Sequence, residues 1–153
     1  MKIIALKGDS ETGKSDTINI VYQLMILDNY MQVEGQFIVF DSKGKVAAKN
    51  DFRDILIKGF KRVGIVSIGD YYLDGSEQKG DVEIDLAISV HLKHFKDNDC
   101  FMAICACRSG RDYEKEITND YTDYVFVEKE KISKAILQRP FNTFIAESIF
   151  KMI

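Results

Sequence analysis

An eight-residue stretch near the start of the chain carries the residue types of a phosphate-binding loop. It runs from Gly8 to Ser15 with the sequence GDSETGKS, which fits the pattern G-x-x-x-x-G-K-[ST]. We expect Gly8 to let the chain turn sharply off a strand and Gly13 to let the backbone approach a phosphate. Successive backbone N–H groups would then point into an anion-binding concavity at the positive end of a helix dipole.

Two side chains of this loop can contact a nucleotide and its metal ion directly. Lys14 carries an ammonium that can bridge terminal phosphate oxygens, and Ser15 carries a hydroxyl that can ligate Mg²⁺. The predicted nucleotide-binding residues are Gly8, Asp9, Ser10, Glu11, Thr12, Gly13, Lys14, Ser15 and Asp16. The carboxylates of Asp9 and Glu11 predict a lowered affinity for phosphate. The alternative interpretation is an ordinary strand-to-helix turn with a surface lysine.

This loop resembles the Walker A motif of P-loop nucleoside triphosphatases and kinases. The opening MKIIALKGDSETGKSDT is similar to the start of deoxynucleoside monophosphate kinases and related small-molecule kinases. The resemblance implies ATP and Mg²⁺ as cofactors and transfer of the γ-phosphate to a small acceptor. The chain departs from these kinases because it is short, has no evident long lid and shows no legible acceptor-binding signature. Two signatures of GTPases are not seen either: Asp70 is followed by Tyr71, Tyr72 and Leu73, so no D-x-x-G follows the third predicted strand, and no N-K-x-D occurs.

The metal ion at such a loop needs a second acid, and two aspartates are candidates. Asp70 follows the apolar run VGIVSIG in an arrangement that looks like Walker B, and Asp41 follows the run FIVF. We favour Asp70, because Gly64 and Gly69 suit the close approach of a backbone or a ligand. In the alternative, both aspartates only cap the ends of strands.

Two arginines in the segment CRSGRDY are candidates for catalysis. Arg108 and Arg111 come just after an apolar run, where they can stabilise charge on a transferred phosphoryl group or clamp the nucleotide. Small nucleotide kinases place arginines in a comparable lid region. In the alternative, both arginines are solvated and neutralise Asp112 and Glu114.

Short apolar runs that alternate with amphipathic stretches predict the elements that position these residues. The predicted strands are 2–7, 36–40, 63–68, 101–107 and 124–127, with loops at 42–50 and 74–80. The predicted helices are 14–31, 51–60, 82–92, 110–119 and a C-terminal segment that Pro140 breaks. The alternation in 82–92 also fits a strand, but a parallel sheet needs a crossover there.

The order of these elements predicts an α/β fold with three layers, α/β/α, around a mainly parallel sheet of about five strands. Ligands of such folds bind at the carboxyl ends of the strands. The residues expected to gather at that edge are Gly8, Asp41, Asp70, Arg108 and Glu128.

Length and composition limit the number of domains and the classes of protein that the chain can belong to. The 153 residues, of which 46% are hydrophobic, predict a single nucleotide-binding domain over 1–153. A net charge of -3 does not favour a non-specific nucleic-acid binder. No membrane-length apolar run or signal peptide is evident, and Cys100, Cys105 and Cys107 are interpreted as free, buried thiols. We therefore expect a cytoplasmic protein.

Two functions are consistent with these features. The first is a kinase that transfers the γ-phosphate of ATP to a nucleoside- or nucleotide-type acceptor. In it Lys14, Arg108 and Arg111 are catalytic, and Ser15 and Asp70 hold Mg²⁺. The second is a non-catalytic or weakly hydrolysing nucleotide-binding module of a larger assembly or mobile element. Phosphate transfer to a panel of acceptors would separate the two.

Overall fold

The computed structural model describes residues 1–9, 11–40, 51–68, 87–109 and 112–153. Within these ranges the strands are β1 (Lys2–Gly8), β2 (Met31–Gln32), β3 (Ile38–Phe40), β4 (Asp51–Lys58), β5 (Lys61–Val66), β6 (Met102–Arg108) and β7 (Tyr124–Glu128). The helices are α1 (Lys14–Leu27), α2 (Ile88–Asp97), α3 (Asp112–Asp120) and α4 (Ala135–Phe150).

The described strands form one mixed sheet. Its order is β2-β4-β5-β6-β1-β7, and β3 also pairs with β4. Strand β1 is parallel to β6 and β7, and β5 is parallel to β6. Strand β4 is instead antiparallel to β2, β3 and β5. The prediction of an α/β fold is therefore confirmed, but the prediction of a mainly parallel sheet of about five strands is wrong.

The segment 51–60, predicted as a helix, forms β4 and the start of a β-hairpin. Lys58 pairs with Lys61, and Gly59 has a φ of 60°, which is the left-handed region that tight hairpin loops require. The apolar residues of β4 follow a helical spacing because this strand contributes to both faces of the sheet. Phe52 and Leu56 belong to one hydrophobic cluster, and Ile55 belongs to the other.

Most of the other predicted elements are present with shifted ends. Strands 2–7, 63–68, 101–107 and 124–127 correspond to β1, β5, β6 and β7, and helix 110–119 corresponds to α3. Helix 14–31 ends at Leu27, and only Ile38–Phe40 of 36–40 is a strand. The helix expected at 82–92 corresponds to α2, which spans Ile88–Asp97, and residues 69–86 lie outside the described residues. The predicted loops 42–50 and 74–80 lie outside them as well.

Pro140 does not break the C-terminal helix, contrary to the prediction. It lies inside α4, which continues to Phe150. Proline removes one backbone hydrogen bond from a helix interior. The first turns of α4 are exposed, with Ile136 83% accessible, so water can satisfy the carbonyl that loses its partner.

Helices pack on both faces of the sheet. One hydrophobic cluster joins α1 and α4 to the sheet through Ile18, Val21, Ile145 and Ile149. The other cluster joins α2 and α3 to it through Ile88, Leu92, Phe95 and Ile117. Strand β1 serves both clusters because its side chains alternate between the two faces. The loop between β1 and α1 is therefore anchored in the core at both ends.

The three cysteines are free and buried, as predicted. Burial raises the pKa of Cys100 to about 11 and that of Cys107 to about 12, and it also raises the pKa of Cys105. Thiols with raised pKa values are poor nucleophiles at neutral pH. Among the described helices, none is both long enough and apolar enough to cross a membrane.

Candidate functional site

The loop between β1 and α1 has the backbone shape of an anion site. Glu11 and Gly13 adopt left-handed conformations, with φ of 59° and 78°. Left-handed residues beside helical ones turn successive N–H groups toward one side, and the first N–H groups of α1 have no partner within the helix. A cavity of about 180 Å³ lies there. Its lining residues are Glu11, Thr12, Gly13, Lys14, Ser15, Asp16, Ser67 and Ala106.

Both motif glycines are required by close contacts with the C-terminal part of the chain. A Cβ at Gly8 would lie 2.5 Å from the carbonyl oxygen of Lys129, so the contact, not a positive φ, explains this glycine. Gly13 combines its positive φ with a crowded position, since a Cβ there would lie 2.8 Å from Nε2 of Gln138. Neither position accepts a side chain without displacement of its neighbours.

Lys14 lies across the loop and is not a surface lysine. Its side chain is buried, and Nζ donates hydrogen bonds to the carbonyl oxygens of Gly8 at 3.0 Å and Asp9 at 2.7 Å. The ammonium is thus held at the cavity by the first residues of the motif. Phosphate oxygens entering the cavity would compete with these carbonyls for the same donor.

Helix α4 forms a hydrogen bond to the loop through a side chain that does not line the cavity. Nε2 of Gln138 donates to the carbonyl of Thr12 at 3.0 Å and also to Oδ1 of Asn142 at 2.8 Å. The hydroxyl of Thr12 donates to the carbonyl of Asp9 at 3.0 Å. Gln138 and Asn142 were not predicted as residues of the site, because polar residues on a helix carry no local signal of what they contact.

A buried lysine that the sequence analysis missed completes this support. Lys129 is only 2% exposed, and its Nζ donates to Oδ1 of Asn142 at 2.7 Å. Burial lowers the pKa of Lys129 to about 8, Asp16 opposes this shift, and Lys14 adds to it. Its position in the sequence could have indicated Lys129 as a site residue. Lys129 directly follows β7, at the edge of the sheet where ligands of α/β folds bind.

The carboxylates of the loop differ in their surroundings. Glu11 is exposed and forms an ion pair with Lys131, with 3.4 Å between Oε2 and Nζ. Asp16 lies in the first turn of α1, where a negative charge interacts favourably with the helix dipole. The negative charge of Glu11 is thus partly offset by a cation from the segment that precedes α4.

The hydroxyl of Ser15 contacts the end of β5. Its Oγ donates to the carbonyl oxygen of Ser67 at 3.3 Å. Ser67 is fully buried, and its own Oγ donates to Oδ1 of Asp51 at 3.0 Å. Asp51 was predicted to lie near the start of a helix. It begins β4 instead, and because β4 is antiparallel to β5, this residue lies at the same edge of the sheet as the Gly8–Ser15 loop.

Several predicted site residues cannot be placed beside this loop. Ser10, Asp41, Asp70 and Arg111 lie outside the described residues. Gly64 gives no support to the choice of Asp70, because a Cβ at Gly64 would lie 2.2 Å from the ring of Phe95 in the hydrophobic core. That glycine makes room for a core side chain rather than for a ligand.

Arg108 lies beside the start of the loop. It is the last residue of β6, it is exposed, and it is paired in register with Gly8 of β1. The N–H of Ser109 donates to the carbonyl of Gly8 at 3.1 Å, which ties the end of β6 to the loop. Glu114, which was considered a partner for the arginines, forms an ion pair with Lys7 at 3.2 Å.

The residues around Ser15 fit a metal ion that a nucleotide brings with it. Within the described ranges, no group of three or more His, Cys, Asp and Glu side chains could hold a metal ion by itself. Mg²⁺ bound to a nucleotide needs fewer protein ligands, since phosphates and water fill most of its coordination positions. The hydroxyl of Ser15 donates its proton to Ser67, which leaves oxygen lone pairs for a cation.

Comparison of the chain with protein-family models, with curated proteins and with solved structures gave no match. The function of the chain is therefore inferred from the residues and geometry of the site.

Proposed function

We propose that this chain binds a nucleoside triphosphate, ATP with Mg²⁺, in the cavity of the Gly8–Ser15 loop and transfers its γ-phosphoryl group to a small acceptor. One observation carries the proposal. Gly13 and the first residues of α1, Lys14, Ser15 and Asp16, line one cavity directly after the buried strand β1. This is the arrangement that phosphates require, and a P-loop fold with helices in a layer on each side of the sheet would supply it.

Each group in the cavity has a distinct part in binding. The backbone N–H groups from residue 13 onward bind phosphate oxygens, and Lys14 exchanges its carbonyl partners for oxygens of the terminal phosphates. Ser15 would hold Mg²⁺ through its hydroxyl oxygen, and the bound ion would supply positive charge to the phosphates.

The proposed transfer is a simple displacement. A hydroxyl of the acceptor attacks the γ-phosphorus, the bond from that phosphorus to the bridging oxygen breaks, and ADP leaves with the electron pair. The acceptor loses its proton to solvent or to a carboxylate at the site. Arg108, next to Gly8, supplies positive charge to the phosphoryl group during transfer, and Arg111 is proposed for the same role.

A second candidate function is nucleotide binding without transfer. It is favoured by the carboxylate of Glu11, which lines the cavity and opposes the charge of a phosphate. A binding module of this kind would hold nucleotide as part of a larger assembly and hydrolyse it only slowly.

Two measurements test the proposal in order. Calorimetric titration with Mg²⁺ and ATP, ADP, GTP or AMP tests binding and identifies the preferred nucleotide. Incubation with γ-labelled ATP and a panel of nucleosides, nucleoside monophosphates and sugars tests transfer. Binding together with a labelled acceptor supports the kinase. Binding with neither a labelled acceptor nor more than trace hydrolysis supports the module instead.

A further inference from the structure

Ser67 connects the phosphate-binding loop to the start of β4. Its backbone N–H donates to the carbonyl of Phe52 at 3.0 Å, and its Oγ accepts from the N–H of Phe52 at 2.8 Å. The same Oγ lies 3.0 Å from Oδ1 of Asp51. Ser67 is fully buried, and its hydroxyl has both of these partners within the protein. The residue is thereby fixed in one orientation just past the end of β5.

The directions of these hydrogen bonds follow from the chemistry of the groups. The hydroxyl of Ser67 has one proton, and an ionised carboxylate can only accept, so that proton goes to Asp51. The backbone carbonyl of Ser67 then remains to accept the hydroxyl proton of Ser15, at 3.3 Å. The series runs from the Asp51 carboxylate through Ser67 to the oxygen that would bind the metal ion.

We infer that Asp51 is a positioning residue of the magnesium site, because it holds Ser67 and through it orients the hydroxyl of Ser15. This inference rests on the proposed function. With the Ser15 proton directed at Ser67, the lone pairs of Oγ face away from that carbonyl and are available to Mg²⁺. Without Asp51 or the hydroxyl of Ser67, the backbone carbonyl of Ser67 is held less firmly, so the hydroxyl of Ser15 is oriented less firmly and its oxygen binds Mg²⁺ less well.

The reversed direction of β4 makes this arrangement possible. Strand β4 begins where β5 ends, and the register that pairs Arg53 with Val66 places Asp51 beside the residues that follow β5. In a parallel arrangement the first residue of a strand would lie at the opposite edge of the sheet.

The test compares the affinity for ATP in Mg²⁺ with the affinity in EDTA, measured by calorimetry on the intact chain. The ratio of the two affinities is the magnesium gain. Asp51→Ala and Ser67→Ala should each lower this gain about tenfold and leave the affinity in EDTA close to that of the parent. Asp51→Asn and Ser67→Thr keep the acceptor and the hydroxyl, so both should retain a gain within about threefold of the parent.

Asp54→Ala is the matched control. Asp54 lies on the same strand and accepts hydrogen bonds from Tyr22 and Gln32 at 3.0 Å each, so its loss should destabilise the fold without lowering the magnesium gain. An unchanged gain in Asp51→Ala, or an equal loss in Asp54→Ala, overturns the inference while the proposed function stands. A loss in Asp51→Asn as large as in Asp51→Ala assigns Asp51 a direct charge effect and also overturns it. A parent chain that binds no nucleotide overturns the proposed function and this inference together.

Discussion

The side-chain amide of Gln138 donates a hydrogen bond to the backbone carbonyl of Thr12, with 3.0 Å between the two atoms. The two residues are 126 positions apart in the chain, so the bond forms only when α4 has packed against α1. It holds one peptide group of the Gly8–Ser15 loop in place. The C-terminal helix therefore contributes to the shape of a site whose sequence motif lies entirely in the first fifteen residues.

Gln138→Ala should weaken nucleotide binding although Gln138 does not line the cavity. Loss of one hydrogen bond of this kind corresponds to about 1 kcal/mol, or roughly fivefold in affinity. Ser148→Ala is the matched control, because the hydroxyl of Ser148 donates to the carbonyl of Phe144 in the same helix. Calorimetric titration of both variants with Mg²⁺ and ATP checks the prediction. Equal affinities for the two variants would show that the hydrogen bond from Gln138 to Thr12 does not contribute to nucleotide binding.

Gly8→Ala should damage both the fold and the site. The new methyl group would lie 2.5 Å from the carbonyl oxygen of Lys129, and displacing that backbone costs about 1–3 kcal/mol. Because the collision occurs at the loop, nucleotide affinity should fall as well. Urea unfolding and calorimetry give the two effects separately.

Gly64→Ala is the control that distinguishes a loss of stability from a loss of nucleotide affinity. Its methyl group would collide with the ring of Phe95, in the core and not at the loop. We expect a comparable loss of stability, with nucleotide affinity retained at a temperature where the variant is folded. A Gly64→Ala variant that loses affinity as strongly as Gly8→Ala contradicts this assignment.

Lys129 should make the stability of the fold depend on alkaline pH. Its folded pKa is lowered to about 8 from an ordinary value of 10.5. Between these values the unfolded chain holds a proton at this residue that the folded chain has released, so the free energy of unfolding rises with pH across that window. Lys129→Met removes this contribution. Below about pH 8 the difference in the free energy of unfolding between parent and variant should be constant. Above about pH 8 the free energy of unfolding of the parent should rise relative to that of the variant.

Urea unfolding at a series of pH values measures this difference. Lys131→Met is the control, because Lys131 is exposed and its ion pair with Glu11 is at the surface. The difference between the parent and this control should not change over the same window. If the difference in the free energy of unfolding between the parent and Lys129→Met is also constant with pH, the lowered pKa of Lys129 is contradicted.

Arg108→Ala should lower turnover more than binding. Arg108 is exposed beside Gly8, and an arginine that acts only on the phosphoryl group in transfer changes kcat while ATP affinity stays nearly the same. We expect a loss in kcat of at least about tenfold, and the same pattern for Arg111→Ala. Steady-state transfer assays combined with calorimetry measure both quantities. Parental kcat in both variants would make the arginines surface residues, and a loss of affinity alone would make them clamps on the nucleotide.

The strand, turn and helix around the Gly8–Ser15 loop were predictable because their signals are local. Gly13, Lys14 and Ser15 must occupy fixed positions relative to one strand and one helix, so a short pattern identifies them. The supporting residues were not predictable in this way. Gln138 and Lys129 are ordinary residue types in ordinary places, and only the packing of α4 and the end of β7 brings them to the loop.

The main error in the fold has a physical origin as well. In β4 the apolar residues alternate between two hydrophobic clusters, and the resulting spacing of Phe52, Ile55 and Leu56 matches a helix as well as a strand. Only pairing with β5 decides between the two, and pairing is not a property of the segment alone. The same error concealed Asp51, whose position at the site depends on the antiparallel direction of β4.

Calorimetric titration of the parent and of Lys14→Met with ATP in Mg²⁺ tests the central claim most directly. Methionine keeps much of the buried stem of Lys14 but removes the ammonium that bonds to the carbonyls of Gly8 and Asp9. Thermal unfolding of both proteins shows that the variant is folded at the titration temperature. We predict measurable binding by the parent and a loss of at least about a hundredfold in the variant, or roughly 3 kcal/mol. Equal affinities in the two proteins, or no binding by the parent, would contradict the assignment of the Gly8–Ser15 loop as a nucleotide site.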